Sequence, residues 1–222
     1  MGKRVLHDKW FKLAKEEGYL SRAAYKLKQI ERNKRLFRGG MQVLDLGCAP
    51  GAWLQVAREF VGPKGAVVGL DLQEVRHEFD ENVHHFVGDA FTFPTDTLKE
   101  AAGGRFDIVL SDMAPNTIGH GDAERSVTMG HQILEIVPEL LKADGHLVFK
   151  VLEGTGFPEL LVASKKLFQE CRPYKPAASR DVSREIYIVG TGFKRSEAPE
   201  KRPEKKRIPP HLRFTEEELR GE

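Results

Sequence analysis

The sequence is organised around one stretch, Met41-Gln-Val-Leu-Asp-Leu-Gly-Cys-Ala-Pro-Gly-Ala-Trp53. The apolar run at 43–46 predicts a short buried strand that ends at Gly47, and residues 52–60 predict a helix. Pro50 suits the first turn of that helix, where a backbone N–H is not needed. A strand, a glycine-containing turn and a helix N-terminus form a nucleotide-sized cradle. Because neither Gly-x-Gly-x-x-Gly nor Gly-Lys-Ser/Thr occurs here, we expect neither a dinucleotide nor an NTP phosphate.

The length and composition indicate one sizeable domain in a reducing compartment. A chain of 222 residues with 40% hydrophobic content allows one α/β domain plus tails. No apolar run approaches the length that crosses a bilayer, and the N-terminus lacks the apolar core of a signal peptide. Two cysteines, Cys48 and Cys171, build no disulfide framework and fit the cytoplasm. Nothing in the sequence requires an obligate protein partner or more than a monomer.

Charge divides the chain into three parts. Residues 1–38 hold 12 Lys/Arg against 4 Asp/Glu and are predicted to form a basic N-terminal helical arm. Residues 39–193 hold 14 against 22 and form the predicted main domain. Residues 194–222 are rich in proline and charge, so a disordered tail is predicted. A basic arm on an acidic core indicates a polyanionic partner on one side, although a solvated basic helix without a partner has the same composition.

The rest of the chain predicts a doubly wound α/β fold, in which helices cover both faces of a sheet. Buried strands are predicted at 66–71, 84–87, 106–111 and 146–152, with helices up to about 143 and at 157–168. Two short strands follow, around Tyr174 and at 184–191, and with no helix between them they must be antiparallel. The sheet should therefore have seven strands, mostly parallel, with an antiparallel last hairpin. Residues 118–125 are Gly-rich and polar, which suits a mobile lid and a plain linker equally.

Acidic residues follow three of the predicted strands. Asp71 comes twenty residues after Gly51, which is the spacing at which such folds bind ribose hydroxyls. Asp89 follows the third strand, where a carboxylate can accept a hydrogen bond from an adenine amino group. Asp112 ends the fourth strand and precedes a stiff Met-Ala-Pro-Asn loop. Lys150 lies inside the apolar fifth strand, so it must reach a partner, perform a task or extend its charge to the strand end.

The second helix is predicted to begin with Ser21 as its N-cap and to run from Arg22 to about residue 32. Its apolar residues, Ala23, Leu27 and Ile30, recur at helical spacing and define its buried face. Arg22 and Lys26 are four residues apart on a neighbouring stripe, so both can face outward together. On the pattern alone, Lys26 is a surface lysine.

Three motifs together resemble the RrmJ/FtsJ (RlmE) family of RNA ribose 2'-O-methyltransferases. They are Asp-x-Gly-x-Ala-Pro-Gly-x-Trp at 45–53, Ser-Arg-Ala-Ala-Tyr-Lys-Leu at 21–27 and Ser-Asp-Met-Ala-Pro-Asn at 111–116. The resemblance covers about residues 8–193 and implies a Rossmann-like class I methyltransferase fold that binds S-adenosylmethionine. The cofactor-binding residues that it implies are Asp45, Gly47, Gly51, Trp53, Asp71, Asp89 and Asp112.

The resemblance also implies a catalytic tetrad of Lys26, Asp112, Lys150 and Glu185. An antiparallel last strand starts at the edge where parallel strands end, which brings Glu185, its predicted second residue, to the rim of Asp112 and Lys150. In our hypothesis Lys150 accepts the proton of the ribose hydroxyl, Asp112 orients Lys150, and Lys26 and Glu185 fix the ribose and the Lys150 ammonium group. A purely structural ion-pair network is the alternative. No metal is expected, because the histidines are scattered and sulfonium methyl transfer needs none.

The expected substrate is structured RNA, since a 2'-hydroxyl acceptor excludes DNA. Resemblance favours a uridine of 23S ribosomal RNA in the large subunit. A transfer RNA, or a non-catalytic role as an RNA-binding ribosome-assembly factor, stays open. Contacts with RNA phosphates are expected on both sides of the pocket. On one side they come from the first 38 residues, and on the other from the arginines that precede Glu185 in the chain. The residues expected to make them are Arg22, Arg32, Lys34, Arg35, Arg38, Arg180 and Arg184.

Overall fold

The computed structural model describes residues 3–115, 121–179 and 183–195, with the backbone only for 3–8. Within these residues the chain forms six helices and seven strands. The helices are α1 (Lys3–Glu16), α2 (Ala23–Lys34), α3 (Ala52–Val61), α4 (Thr95–Ala102), α5 (Asp122–Leu140) and α6 (Phe157–Leu167). The strands are β1 (Gln42–Leu46), β2 (Ala66–Asp71), β3 (Val83–Val87), β4 (Phe106–Ser111), β5 (Leu141–Leu152), β6 (Phe168–Tyr174) and β7 (Glu185–Phe193).

All seven strands belong to one sheet in the order β3-β2-β1-β4-β5-β7-β6. The first five strands pair in parallel. Strand β7 is antiparallel to both of its neighbours, β5 and β6. The predicted seven-stranded sheet with an antiparallel last hairpin is therefore confirmed. Because β7 runs against β5, its first residue, Glu185, lies opposite Leu152 near the carboxyl end of β5, and Tyr187 lies opposite Lys150.

Helices cover both faces of the sheet and create two hydrophobic cores. On one face α4, α5 and α6 pack on alternate strand residues, among them Leu44, Val109 and Phe149. On the other face α2 and α3 pack on the residues between them, among them Val43 and Tyr187. The near-continuous apolar strands of the sequence follow from this arrangement, because both faces of a parallel sheet are buried.

Pro50 precedes α3 and is not in its first turn, contrary to the sequence-based expectation. The helix begins at Ala52, and Gly51 is its N-cap with a φ of 112°. A helix cannot include a residue with that backbone conformation, and only glycine adopts it readily. The Cys-Ala-Pro-Gly segment is therefore a complete turn between β1 and α3.

The start of α2 differs from expectation, and Lys26 is not the surface lysine that the helical pattern alone allows. Arg22 occupies the N-cap position without a side-chain cap, and the Ser21 hydroxyl instead accepts a hydrogen bond from the N–H of Ala23 at 3.2 Å. Lys26 does not face outward with Arg22, because it is buried and only 5% exposed. Lys26 faces the carboxyl ends of the strands, where Glu185 and Asp112 compensate its charge. Helical spacing cannot predict that a buried helix face meets such polar partners.

The segment between β4 and β5 contains less loop than predicted. Residues 122–125 are the first turn of α5, while 118–120 lie outside the described residues. Helix α5 ends at Leu140, and β5 begins immediately with Leu141 paired to Phe106. A register shift follows, with Asp144 at a φ of 60°, before the predicted part of the strand starts at His146. Of the predicted tail, only Lys194 and Arg195 are described.

The described helices do not meet the requirements of a membrane span. None of the helices in this part of the chain is both long enough and apolar enough to cross a bilayer.

We expect Gly190→Ala to destabilise the protein, because β7 lies between two strands and has no room for a side chain at this position. A Cβ there would lie 2.6 Å from the ring of Phe168. Overpacking of this kind costs about 1–3 kcal/mol, which urea unfolding can measure. Gly39→Ala is the matched control, since its Cβ would meet only the Val61 carbonyl oxygen at 3.9 Å. Equal stabilities of the two variants would contradict the predicted clash.

Candidate active site

A cavity of about 420 Å³ opens at the carboxyl ends of β1, β2 and β4. The glycine turn after β1 forms one wall of it. Gly47 has a φ of 79°, and a Cβ at this position would lie 2.4 Å from the Met113 side chain. The turn can therefore lie against the loop that follows β4 only because residue 47 lacks a side chain. The lining includes Gly47, Ala49, Asp71, Leu72, Asp89, Asp112, Met113 and Met129.

Two of the acids at strand ends are held in place by backbone N–H groups. Asp71 accepts a hydrogen bond from Ala49 N at 2.9 Å and another from Gln73 N at 2.8 Å. Asp89 accepts one from Phe91 N at 2.9 Å. Each carboxylate keeps further acceptor capacity, since two oxygens offer about four lone-pair sites. Beside them the Leu72 side chain is 61% exposed, so the cavity offers acceptors for hydroxyl or amino groups and an apolar surface for a flat ring.

Four of the seven residues expected to bind a cofactor line this cavity, and three do not. Gly47, Asp71, Asp89 and Asp112 line it. Gly51 instead packs beneath Leu20 and Phe79, and a Cβ on this glycine would lie 3.0 Å from each of those side chains. Trp53 is buried, donates from Nε1 to the Ala23 carbonyl at 2.8 Å and packs on Tyr187 at 5.8 Å between ring centroids. Trp53 thus joins the glycine turn to α2 and β7.

Asp45 is the third residue that lies away from the cavity wall. It is wholly buried within β1, and neither carboxyl oxygen has a hydrogen-bond partner among the described residues. Burial, and then the charges of Asp112 and Asp71, raise the pKa of Asp45 well above its usual range. The environment of Asp45 therefore favours the protonated, neutral form of its carboxyl group more strongly than solvent does.

The four residues of the expected tetrad converge beside the cavity. Lys150 Nζ lies 3.1 Å from Asp112 Oδ1, and it also donates to the main-chain carbonyl of Asp112. Lys26 Nζ lies 3.1 Å from Glu185 Oε2 and 3.9 Å from Asp112 Oδ2. The residues come from α2, the end of β4, β5 and the start of β7. Two cations and two anions thus form one compact cluster at the carboxyl edge of the sheet.

Tyr187 also belongs to this cluster, although the sequence motifs did not predict it. Its hydroxyl donates to Asp112 Oδ1 at 2.6 Å, and its ring lies 5.8 Å from Lys26 Nζ. Burial and the Asp112 charge raise the pKa of Tyr187 well above its usual range, so the phenol keeps its proton. Strand alternation could have found it, because a residue two positions after Glu185 on one strand points to the same face.

Asp112 remains an anion in this environment. Burial alone would raise the pKa of Asp112, but the Lys150 and Lys26 ammonium groups and the Tyr187 hydrogen bond outweigh it and lower the pKa. The carboxylate therefore has the charge needed to hold both lysines at once.

Only some of the expected RNA-binding residues lie at this edge of the sheet. Arg22 is at the N-cap position of α2, one turn before Lys26, and Arg184 directly precedes β7. Arg32 and Lys34 lie about 9–12 Å further along the α2 axis than Lys26, at a rise of 1.5 Å per residue, and Arg35 is the C-cap of the same helix. Arg38 lines a second cavity of about 490 Å³ at the opposite edge of the sheet, with His146 and Gly192. Arg180 lies outside the described residues.

The sequence predicts no metal site. Within the described ranges, no group of three or more His, Cys, Asp or Glu side chains is arranged to hold a metal ion. The chemistry available at this edge consists of two lysines, two carboxylates and a phenol beside a cavity of nucleoside size.

Proteins of similar sequence span most of the chain. The model of the FtsJ-like methyltransferase family matches residues 19–193, which include all four tetrad positions. Ribosomal RNA large subunit methyltransferase E of Syntrophobacter fumaroxidans is 43% identical, covering 86% of this chain and 98% of that protein. The protein with this name from Halobacterium salinarum is 44% identical, covering 86% and 74%. A crystal structure from Plasmodium falciparum, described as a ribosomal RNA methyltransferase, has a TM-score of 0.69 and 28% identity, covering 79% and 98%.

We expect Asp45→Asn to change how the stability of the ligand-free protein depends on pH. The pKa of Asp45 is raised on folding, whereas an aspartate in an unfolded chain has a pKa of about 3.9. The stabilisation that the protonated carboxyl contributes is therefore fully present below the pKa of the unfolded chain. It is lost as the pH rises toward the pKa of Asp45 in the folded protein. The loss is about 1.4 kcal/mol per pH unit.

Urea unfolding at several pH values from about 5 to 8 tests this expectation. The wild type should lose stability relative to Asp45→Asn as the pH rises, because asparagine has no proton to lose. A difference between the two proteins that stays constant with pH would show that Asp45 is already ionised when buried.

Proposed function

The chain belongs to the FtsJ-like methyltransferase family, and from this premise we propose that it methylates a ribose 2'-hydroxyl of large-subunit ribosomal RNA. The methyl donor in this proposal is S-adenosylmethionine, and the acceptor is a uridine of the 23S RNA. The observation that carries the proposal is the convergence of Lys26, Asp112, Lys150 and Glu185 beside a nucleoside-sized cavity. The relatives named for ribosomal RNA support the choice of RNA.

The cavity fits the proposed donor. Asp71 accepts hydrogen bonds from the ribose hydroxyls of S-adenosylmethionine, and Asp89 accepts one from its adenine amino group. Leu72 packs against the adenine ring. Asp112 lines the cavity and also belongs to the tetrad. The methyl donor and the RNA ribose that receives the methyl group therefore meet at its carboxylate. When bound, S-adenosylmethionine supplies a methyl group activated by a positively charged sulfur.

Lys150 is the proposed proton acceptor, and it acts as the neutral amine after its ammonium group has released one proton to solvent. A ribose hydroxyl is a weak nucleophile and must lose its proton as it attacks, so a base within hydrogen-bond reach is needed. The Asp112 carboxylate and main-chain carbonyl both hold Lys150 Nζ, which fixes this nitrogen at the rim of the cavity. Positioning of this kind contributes much of the rate, because attack must be in line with the bond that breaks.

Lys26 and Glu185 are proposed to position the acceptor ribose. Their contact of 3.1 Å leaves Glu185 free lone pairs for a ribose hydroxyl and leaves Lys26 donors for a sugar oxygen. Lys26 also reaches Asp112 at 3.9 Å. One ionic network therefore joins the side of the site that holds the RNA ribose to the side that holds the methyl donor. Asp112 is then oriented by three groups, Lys26, Lys150 and Tyr187.

The proposal extends to the setting of the reaction. The expected partner is the large ribosomal subunit, which Arg22 and Arg184 would meet next to the tetrad through phosphate contacts. The protein acts as a monomer in the cytoplasm, where Cys48 and Cys171 stay as free thiols. Residues 1–38 form a basic N-terminal helical arm, 39–193 the methyltransferase domain and 194–222 a charged tail.

Labelled S-adenosylmethionine tests the proposed reaction directly. Large ribosomal subunits from cells that lack the protein, and tRNA from the same cells, are incubated with enzyme and label. We expect label on the ribose of one uridine of the 23S RNA, found as a phosphodiester that resists alkaline cleavage. Label in tRNA alone would overturn the substrate, and binding of the donor without transfer to any RNA would favour the non-catalytic alternative.

Lys150→Ala is expected to lower the rate of methyl transfer by about 10²–10⁴, the usual contribution of a general base. Binding of S-adenosylmethionine and RNA should be largely kept, because Asp71, Asp89 and the arginines are untouched. Single-turnover rates, with both affinities measured separately, distinguish these effects.

Lys142→Ala is the matched control for this substitution. Lys142 lies on the same strand, is paired with Asp107 at 2.8 Å and belongs to the opposite edge of the sheet. It should leave the rate unchanged. A Lys150→Ala protein that binds both substrates and turns over at a near-normal rate would show that the cluster is structural and that Lys150 is not the base.

A further inference from the structure

Helix α1 has one buried side and one side that faces solvent with an unusual composition. Ala14 is buried, and Trp10 and Leu13 pack with it against Tyr25 and Ala178. On the other side, Phe11 is 62% exposed, more than any other large hydrophobic side chain among the described residues. A single exposed apolar residue is common on protein surfaces, so the exposure of Phe11 alone indicates nothing.

The surroundings of Phe11 give its exposure a meaning. Lys15 lies four residues further on the same stripe of the helix, and Lys12 is its direct neighbour. Lys9, Lys12 and Lys15 are all exposed, against one exposed acid, Glu16, in the part of α1 whose side chains are described. An exposed aromatic ring among cations is the combination that binds single-stranded nucleic acid, with the ring under a base and the cations at phosphates.

The position of α1 connects this surface to the tetrad. Its buried side contacts Tyr25, whose ring centroid lies 5.0 Å from that of Trp10. The next residue in the chain, Lys26, contacts Glu185 at 3.1 Å. Ala178, the other contact of α1, belongs to the β6–β7 connection that leads to Glu185. Helix α1 therefore rests on the two segments that supply half of the tetrad, and its outer face lies about 10 Å further out, one helix diameter away.

We propose that α1 is a base-stacking element of the substrate site. An unpaired base of the RNA, close to the methylated nucleotide, stacks on Phe11, and the phosphates beside that base contact Lys12 and Lys15. Proteins that recognise RNA commonly bind unstacked bases of single-stranded segments, and a stacking contact with Phe11 requires a base in that form. The inference rests on the proposed function, and it names the form of the RNA next to the target as single-stranded.

Substitutions at Phe11 test the stacking contact. Affinity is measured for a fragment of the large-subunit RNA without methyl donor, so that turnover plays no part. We expect Phe11→Ala to weaken RNA binding about tenfold, the typical effect of losing one base–aromatic stack. Phe11→Trp should keep the affinity of the wild type. Phe11→Leu should lose it, because a leucine side chain is apolar but offers no flat face.

The controls separate stacking from charge and from general damage. Val162→Ala removes another exposed apolar side chain, 54% exposed on α6 on the other face of the sheet, and should change the affinity by less than about twofold. The effect of Lys15→Ala should shrink as salt is added, whereas the effect of Phe11→Ala should persist. Affinity for S-adenosylmethionine should be equal in all variants.

Two results would overturn the inference while leaving the proposed function intact. One is a Phe11→Ala protein that binds RNA as tightly as the wild type does, when the wild type is shown to methylate that RNA. The other is full recovery of affinity in Phe11→Leu, which would indicate a general apolar contact instead of a stacked base. A wild type that methylates no RNA would instead count against the proposed function.

Discussion

The Asp112 carboxylate is the interaction on which the site depends. One of its oxygens receives Lys150 and the Tyr187 hydroxyl, and the other faces Lys26. These partners come from β5, β7 and α2, so one anion at the end of β4 fixes the relative positions of four elements. The same side chain lines the cavity. A displacement of Asp112 would therefore disturb the cavity wall and both lysines together.

Charge balance explains why the cluster contains two acids. A buried lysine without a partner is costly, and Lys26 and Lys150 are both buried here. Glu185 supplies the second anion, so the cluster is neutral when all four groups are charged. Buried ion pairs add little net stability, because desolvation opposes their attraction. Stability therefore gives no strong reason for the cluster, and its position beside a nucleoside-sized cavity favours a catalytic role over a purely structural one.

The cavity and the tetrad are assembled by different physical rules. Residues of the cavity are near each other because the carboxyl ends of parallel strands meet at one edge, and a turn or an acid after a strand is brought there by topology. Residues of the tetrad require in addition that β7 reverses direction and that α2 lies across the rim. Trp53 joins these two parts of the site, since it follows the glycine turn and contacts both Ala23 and Tyr187.

Most of each strand, the antiparallel hairpin and the acids at the strand ends could be predicted from the residues alone, because apolar runs and alternation reflect burial directly. The sequence also singled out Lys150, a charge within an apolar strand. The folded chain was needed to show that Lys26 and Asp45 are buried, that Tyr187 holds Asp112 and that Arg38 lies at the opposite edge. These facts depend on what a helix face or a loop meets in space, and local periodicity records that a side chain is polar without recording which partner compensates its burial.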